Sequence, residues 1–327
     1  MEQLAIEGGA KLREKPLPSR RDVGAEEMKE LVDVIFSGNM YRVGGTKVDE
    51  FEREFAKLYG VEHAVASTSG TAAIHVALGA INPDPGSEIV TGPISDIGTI
   101  IPILYQNCIP IFADIDPVTY SLDPDSVRRK ITDKTVAVIA IHLFGQAANM
   151  DELVDVCKEH DLYLIEDASQ AHLAEYKGKL AGTIGDLGCF SLQQSKQMTT
   201  GDGGVTITND LDLAERAKLF ADKAWPREGG WTQRGYLFLA MNYRMTELQG
   251  GGGSCPAEEG EKRCRKEEES WGNANQHDTG PEGGQSSLHR RGLKALVLAL
   301  SVHDRPVPPK GNSREVCKGP FSRRHTL

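Results

Sequence analysis

The sequence has few of the features that mark membrane, nucleic-acid-binding or disulfide-rich proteins. No apolar run reaches the roughly 18 residues of a membrane-spanning helix, and the opening MEQLAIEGGAKLREK has no signal-peptide pattern. Lys and Arg number 37 against 47 Asp and Glu, a net charge of −10, so bulk charge does not favour nucleic-acid binding. Six cysteines in 327 residues do not form a disulfide framework. We therefore expect a cytoplasmic protein with no nucleic-acid or membrane partner.

The usual nucleotide-binding motifs are also absent, because the sequence contains neither a Walker lysine motif nor G-x-G-x-x-G. What it does contain is an alternation of β-branched apolar runs and amphipathic segments, which predicts an α/β fold with a mainly parallel central sheet flanked by helices. Predicted strands cover residues 64–67, 88–91, 110–114, 136–142, 163–165, 188–191 and 205–208. Predicted helices follow caps at Thr46, Asp123, Asn149 and Asn209, the last two opening residues 150–160 and 210–223.

The composition changes abruptly near Gly250. Residues 250–327 hold 13 Lys or Arg and 10 Asp or Glu, whereas residues 1–249 hold 24 and 37, so the sign of the net charge reverses. Only 19 of the last 78 residues are apolar, too few to cover a core. We expect a folded domain with its N-terminal segment over residues 1–249 and a largely disordered tail over 250–327. No metal site is expected, because the Cys and His residues of the tail lack the short pairs of zinc sites.

Three segments carry residues suited to chemistry. The S-G-T-A-A of residues 69–73 follows a predicted strand and opens a predicted helix, so its free N–H groups could hold a phosphate; a tight turn without ligand is the alternative. Asp167 ends a predicted strand, where it could face a cationic ring nitrogen or merely cap the next segment. Lys196 lies between hydroxyl side chains and a glycine-rich turn, and such an amine could attack a carbonyl if it is not simply solvated.

The conjunction of these segments matches the needs of pyridoxal 5′-phosphate. In this interpretation the cradle holds the phosphate, Asp167 keeps the pyridine nitrogen protonated, and Lys196 forms a Schiff base with the aldehyde carbon. Two further candidates, His142 and His172, end or follow strands that face the predicted site and are weighed as substrate contacts.

At these residues the sequence resembles the DegT-like sugar aminotransferases, which are pyridoxal-phosphate enzymes of fold type I. The shared motifs, in order, are at residues 8–9, 69–73, 165–167, 188–191, 195–196, 200–204 and 242–244. The resemblance implies a homodimer with shared active sites. The residues that it implies as catalytic are Lys196 and Asp167, and those that it implies at the cofactor are Gly70, Thr71, Asp96, Asp167, Gln170, Ser191, Lys196, Asn242 and Arg244.

Some of these implied roles are specific. Gln170 is placed near the ring hydroxyl, Thr71 and Ser191 at the phosphate, and Asn242 and Arg244 at the phosphate of the second subunit. The sequence departs from the family near Asp96, which stands at about the place of an aromatic residue that stacks on the cofactor ring. With the Q-Q-S-K of residues 193–196, this variant is similar to glutamine:scyllo-inosose aminotransferases.

The resemblance ends at Gln249, where the family continues into a small C-terminal domain that nothing in residues 250–327 resembles. The expected function is therefore transfer of an amino group from glutamate or glutamine to a keto sugar or inosose, by ancestry. Two alternatives stay open. One is a non-catalytic cofactor-binding or regulatory protein of the same fold, and the other is an inactive product of a disrupted gene whose tail is read in a shifted frame.

Overall fold

The computed structural model describes residues 24–227 and 235–253. Its helices are α1 Ala25–Ser37, α2 Lys47–Tyr59, α3 Gly70–Ile81, α4 Ile101–Tyr105, α5 Pro124–Lys130, α6 Met150–Glu159, α7 Leu211–Ala221 and α8 Glu247–Gly253. Its strands are β1 His63–Ser67, β2 Glu88–Thr91, β3 Ile109–Phe112, β4 Thr135–Ile141, β5 Tyr163–Asp167, β6 Glu175–Tyr176, β7 Lys179–Leu180, β8 Leu187–Ser191 and β9 Gly204–Thr208. Within these ranges, none of the helices has both the length and the apolar character needed to cross a bilayer.

Seven strands form the central sheet in the order β1-β9-β8-β5-β4-β2-β3. The pairs from β8 through β3 are all parallel, and only β9 runs antiparallel to its two neighbours. The short strands β6 and β7 form a separate antiparallel pair. The predicted α/β fold with a mainly parallel sheet is therefore confirmed.

Helices cover both faces of the sheet, which explains the continuous apolar runs of the central strands. Along β4, Ile139 packs into the cluster that contains α3 and α7, whereas Val138 and Ala140 pack into the cluster that contains α6. A third cluster joins the aromatic side of α2 to β8 and β9, with Phe190 fully buried. The alternation of side chains along each strand thus divides the core between the two faces.

Helix caps explain where several elements start. The Asp123 carboxylate accepts hydrogen bonds from the N–H groups of Asp125 and Ser126, as its position before Pro124 indicates. The expected cap at Asn209 is wrong by one residue: Asp210 caps α7 through the N–H of Leu213. The amide oxygen of Asn209 instead accepts from the N–H of Glu62 at 2.9 Å, which ties it to the start of β1.

Helix α8 crosses the predicted boundary after residue 249. Gly250 packs closely against α2, since a Cβ added to it would lie 2.8 Å from the backbone nitrogen of Val48. The division at residue 249 stays a prediction. The remainder of the predicted tail and the N-terminal motif at residues 8–9 lie outside the described residues.

Candidate active site

A cleft of about 440 Å³ opens where the carboxyl ends of β4 and β5 meet the amino end of α3. This is the edge of an α/β sheet at which ligands usually bind. The residues predicted from the sequence that line it are Gly70, Thr71, Asp96, Asp167, Gln170, Ser191 and Lys196. Ser69, Ser95, Thr99, His142, Ser169 and Asp202 line it as well. The structure thus brings together seven of the nine predicted site residues.

The cradle is formed by the first turn of α3. The Ser69 hydroxyl accepts from the N–H of Ala72 at 3.0 Å, and its carbonyl accepts from the N–H of Ala73. In the described part of the chain, the N–H groups of Gly70 and Thr71 have no such partner, so they are available to an anion at the positive end of the helix.

Gly70 is required at this position for steric reasons. A Cβ added there would lie 2.6 Å from the Cβ of Ser191, closer than non-bonded carbon atoms approach. The lack of a side chain lets α3 start directly against β8. The hydroxyl groups of Thr71 and Ser191 consequently line the same end of the cleft.

Asp167 ends β5 with its side chain buried to 6% exposure. Its Oδ2 accepts from the Thr99 hydroxyl at 2.6 Å, and its Oδ1 accepts from the N–H of Ser169 at 3.2 Å. Each carboxylate oxygen therefore has one donor and retains capacity for another. The carboxylate is held in one orientation at the floor of the cleft.

Lys196 lies in the turn after β8, which is closed by a hydrogen bond from its own N–H to the carbonyl of Gln193 at 2.8 Å. The side chain is half-buried and lines the cleft. Among residues 24–227 and 235–253, no carboxylate forms a salt bridge with its amine. Within these two ranges, the amine is therefore not held in a structural ion pair.

Gln170 is fixed by the loop that follows β4. The N–H of Phe144 donates to its side-chain oxygen at 3.1 Å, and Phe144 itself has a left-handed backbone with φ of 52°. The amide of Gln170 is then positioned at the cleft wall by a residue 26 positions earlier.

Asp96 has a local structural role. Its carboxylate accepts from the N–H of Gly98 at 2.7 Å and caps the short turn Ile97–Thr99. The side chain is exposed at the cleft mouth. Among the described residues that line the cleft there is no Phe, Tyr or Trp side chain, so Asp96 contributes a carboxylate where the family pattern has a stacking aromatic ring.

The two histidines weighed as substrate contacts have their ring nitrogens occupied. Nδ1 of His142 accepts from the N–H of Ala148 at 3.1 Å, so its proton resides on Nε2, which donates to Glu166 at 2.8 Å. His172 donates from Nε2 to the carbonyl of Ser191 and meets the Tyr59 hydroxyl through Nδ1. His142 lines the cleft and His172 does not. Because both nitrogens of each ring already have a partner in the protein, the two histidines have structural roles beside the site.

Glu166 is completely buried beside Asp167. Burial raises the pKa of its carboxyl, but the hydrogen bond from His142 and the N–H groups of Gly182 and Gly185 outweigh burial, so its pKa lies below the ordinary value. The adjacent acids thus have different tasks. Glu166 binds the loop after β7, whereas Asp167 faces the cleft.

Asn242 and Arg244 do not line this cleft. Asn242 is exposed and its backbone forms a bridge with Asp222, and the Arg244 guanidinium forms an ion pair with the Asp222 carboxylate. Arg227 binds the same carboxylate with two hydrogen bonds of 2.7 and 2.8 Å. Neither Asn242 nor Arg244 therefore lines the cleft of its own chain.

Sequence reasoning missed Thr99 and Ser95. Thr99 is 1% exposed, lines the cleft and donates to Asp167, from which it is separated by 68 residues in the chain. A lone threonine in a loop carries no motif. The signal in the sequence was its place three residues after Asp96, near which the sequence departs from the family pattern.

The cleft fits pyridoxal 5′-phosphate in its donor set. The backbone N–H groups of Gly70 and Thr71 and the hydroxyls of Thr71 and Ser191 suit the phosphate, and a Cβ at Gly70 would collide with Ser191. The buried Asp167 carboxylate suits a protonated ring nitrogen. The Lys196 amine, which forms no salt bridge within the described part of the chain, suits an aldehyde carbon.

The sequence profile of the DegT/DnrJ/EryC1/StrS aminotransferase family matches residues 21–259. The chain belongs to this family. Aminotransferases of the DegT/DnrJ/EryC1/StrS family depend on pyridoxal phosphate, which agrees with the cofactor predicted from the sequence. The family resemblance inferred from the motifs is therefore confirmed.

Individual relatives support this membership. The chain is similar to an L-glutamine:2-deoxy-scyllo-inosose aminotransferase of Streptomyces lividus, 36% identical over 261 residues that cover 76% of this chain and 61% of the relative. It is also similar to the crystal structure of an aminotransferase from Psychrobacter cryohalolentis, with 33% identity, a TM-score of 0.67 and coverage of 73% and 62%.

A third similar structure is that of 3-amino-5-hydroxybenzoic acid synthase, with 28% identity, a TM-score of 0.75 and coverage of 79% of this chain and 67% of that one. The chain spans about 60% of the length of the first sequence relatives of the DegT/DnrJ/EryC1/StrS family that it matches.

Proposed function

We propose that this chain forms the cofactor site of an aminotransferase that moves an amino group from glutamate or glutamine to a keto sugar or inosose. The observation that carries the proposal is the convergence of three distant segments on one cleft: the N–H groups of Gly70 and Thr71, the Asp167 carboxylate and the Lys196 amine. Pyridoxal phosphate, when bound, supplies the electron sink for such a transfer.

The fixed residues of the cleft would bind and orient the cofactor. Gly70 and Thr71 would donate backbone N–H groups to the phosphate, with the hydroxyls of Thr71 and Ser191 beside them. The Asp167 carboxylate would hold a proton on the ring nitrogen by pairing with the cation. Gln170 would offer its amide to the ring hydroxyl.

Lys196 would act as nucleophile and then as base. Its amine would hold the cofactor by condensing with the aldehyde carbon, with loss of water, and would be freed when an amino donor takes its place. The freed amine would then carry a proton to or from the α-carbon of the donor. These steps need an amine that can change position, and the lack of a carboxylate partner in the described ranges supports that freedom.

The acceptor class is proposed from the relatives and from the polarity of the cleft. The similar protein of Streptomyces lividus carries the name of an inosose aminotransferase. Besides the residues proposed for the cofactor, the cleft is lined by polar side chains that can form hydrogen bonds with a substrate rich in hydroxyl groups. These are Ser95, Ser169, Gln193, Ser195 and Asp202.

We also propose a homodimer in which Asn242 and Arg244 approach the cofactor phosphate of the partner subunit. Support comes from the exposed position of Asn242 and from the Arg244 guanidinium, whose side chain is 14% exposed and is oriented by Asp222 outside the cleft of its own chain. A cytoplasmic location stays a prediction from the sequence.

Borohydride trapping tests the proposal. The chain is incubated with pyridoxal phosphate, reduced with sodium borohydride, digested and examined by peptide mass spectrometry. The cofactor is expected on Lys196, and Lys196→Ala removes it. Lys179→Ala, at an exposed position of β7, serves as the matched control and retains the label.

A single-turnover measurement completes the test. Formation of pyridoxamine phosphate after addition of glutamate or glutamine supports amino transfer. Labelling of Lys196 without this product would favour a cofactor-binding protein over an aminotransferase. Equal labelling of wild type and Lys196→Ala would remove Lys196 from the mechanism.

A further inference from the structure

Thr99 and Ser95 form a chain of hydroxyl groups that ends at Asp167. Thr99 Oγ1 lies 2.6 Å from Asp167 Oδ2, and Ser95 Oγ lies 2.6 Å from Thr99 Oγ1. An ionised carboxylate only accepts hydrogen bonds, so the single hydroxyl proton of Thr99 points to Asp167. The Ser95 hydroxyl must then be the donor to Thr99. Because each hydroxyl group has one proton to donate, Ser95 donates to Thr99 and Thr99 donates to Asp167.

The turn between these residues is built to hold that arrangement. The Asp96 carboxylate accepts from the N–H of Gly98, and its carbonyl accepts from the N–H of Thr99 at 3.1 Å. A Cβ added to Gly98 would lie 2.6 Å from Thr71 Oγ1, so the turn lies directly against the phosphate cradle. One short segment therefore contacts both the cradle and the strand-end acid.

We propose that Thr99, oriented by Ser95, is a positioning residue that directs the Asp167 carboxylate at the ring nitrogen of the cofactor. This inference rests on the proposed function. Since Oδ1 is held by Ser169 and Oδ2 by Thr99, the carboxylate cannot rotate without losing a hydrogen bond to a charged group. Its remaining lone pairs are thereby kept in place for the protonated ring.

A purely structural role of Thr99 makes a different prediction. If the bond only fastens the turn to β5, its removal loosens the whole cleft and weakens binding of every cofactor analogue equally. If it positions Asp167 for the ring nitrogen, the loss depends on that nitrogen. An analogue with carbon in place of the ring nitrogen separates the two cases.

The experiment measures Kd by equilibrium titration for pyridoxal 5′-phosphate and for its 1-deaza analogue. Thr99→Val keeps the shape of the side chain and removes the hydroxyl, whereas Thr99→Ser keeps the hydroxyl. Thr91→Val is the matched control, because the buried Thr91 hydroxyl donates to the carbonyl of Ile139 and does not line the cleft. Ser95→Ala removes the donor to Thr99 at a less buried position and provides a second variant if Thr99→Val does not fold.

Thr99→Val is expected to raise Kd for pyridoxal phosphate about tenfold, the order expected for one hydrogen bond to a charged group, with less than about a twofold change for the deaza analogue. Thr99→Ser keeps the ratio of Kd for pyridoxal phosphate to Kd for the deaza analogue at its wild-type value, and Thr91→Val leaves that ratio unchanged. Ser95→Ala raises the ratio about threefold, in the same direction as Thr99→Val.

Equal changes for both compounds in Thr99→Val, or in Ser95→Ala if the first variant is unfolded, would overturn the positioning role while leaving the proposed function intact. Failure of the wild-type chain to bind either compound would instead overturn the proposed function, and the role of Thr99 with it.

Discussion

Asp167 and Lys196 line the same cleft but have opposite surroundings. The Asp167 carboxylate is buried and receives a hydrogen bond at each oxygen, whereas the Lys196 amine is half-buried and has no salt bridge within the described residues. A carboxylate that pairs with the ring nitrogen must stay fixed. An amine that first bonds to the aldehyde carbon and later carries a proton must be able to move. The environment of each residue therefore matches the role proposed for it.

His172 gives a testable pH dependence of stability. Burial, and to a lesser extent the charge of Lys196, lowers the pKa of His172 to about 4, from 6.5 in a model compound. Because the unfolded chain binds this proton more readily, stability is full above pH 6.5 and falls as the pH is lowered toward 4, by up to about 1.4 kcal/mol per pH unit. Replacing His172 by Gln is expected to flatten this slope in urea unfolding measured from pH 7 to pH 4.

The matched control for this prediction is Tyr59→Phe. It removes the hydroxyl that lies 3.3 Å from Nδ1 of His172 but leaves the imidazole buried, so the slope should persist even if overall stability drops. A slope that is the same in wild type and His172→Gln would show that another group causes the acid sensitivity.

At the scale of secondary structure, the sequence predicts the bounds of a strand well where a run of β-branched apolar residues marks it clearly. The β2 strand was predicted with its observed bounds, and the strand now seen as β4 was displaced by one residue. The cap of α7 was misplaced because Asn209 and Asp210 both suit a helix start. Only the three-dimensional contact of Asn209 with Glu62 decides between them.

The candidate site was predictable to the extent that its residues belong to motifs. Gly70, Asp167 and Lys196 each stand at an element end, where local pattern and chemistry coincide. Thr99 acts through a contact across 68 residues of chain, and the use of both nitrogens of His142 depends on the backbone of a neighbouring loop. Such contacts arise from packing and have no local signature in the sequence.

Gly98→Ala tests whether the turn Ile97–Thr99 positions the cradle. The added Cβ would lie 2.6 Å from Thr71 Oγ1, so the Thr71 side chain or the turn must shift. We expect about a fivefold increase in Kd for pyridoxal phosphate, with a loss of stability of about 1–3 kcal/mol as for other overpacked sites. Titration with the cofactor and urea unfolding measure the two effects.

Gly252→Ala is the control for that substitution, since nothing lies within 4 Å of a Cβ added there. It should leave the Kd unchanged. An unchanged Kd in Gly98→Ala as well would mean that the turn yields without moving Thr71.

At the scale of the whole molecule, Asn242 and Arg244 belong to a family motif but do not line the cleft of their own chain. Arg244 and Arg227 share the Asp222 carboxylate, Arg227 stacks 3.8 Å from the centre of the Trp225 ring, and Arg244 lies over Tyr41. Two guanidinium groups with one carboxylate leave a net positive charge, held in a defined orientation. A second subunit whose cofactor phosphate meets this charge would complete both sites.

Mixing of inactive variants tests that arrangement. Lys196→Ala lacks the nucleophile and Arg244→Ala lacks the proposed contact to the phosphate of the partner subunit, so each homodimer alone should give little borohydride-trapped cofactor at a limiting concentration. After subunit exchange, a mixed dimer has one site with Lys196 from one subunit and Arg244 from the other. Random pairing then predicts roughly a quarter of the wild-type labelling. The control is a pair of samples that are combined only at the moment of reduction. If subunit exchange gives no more labelling of Lys196 than this control, Arg244 does not act across the subunit boundary.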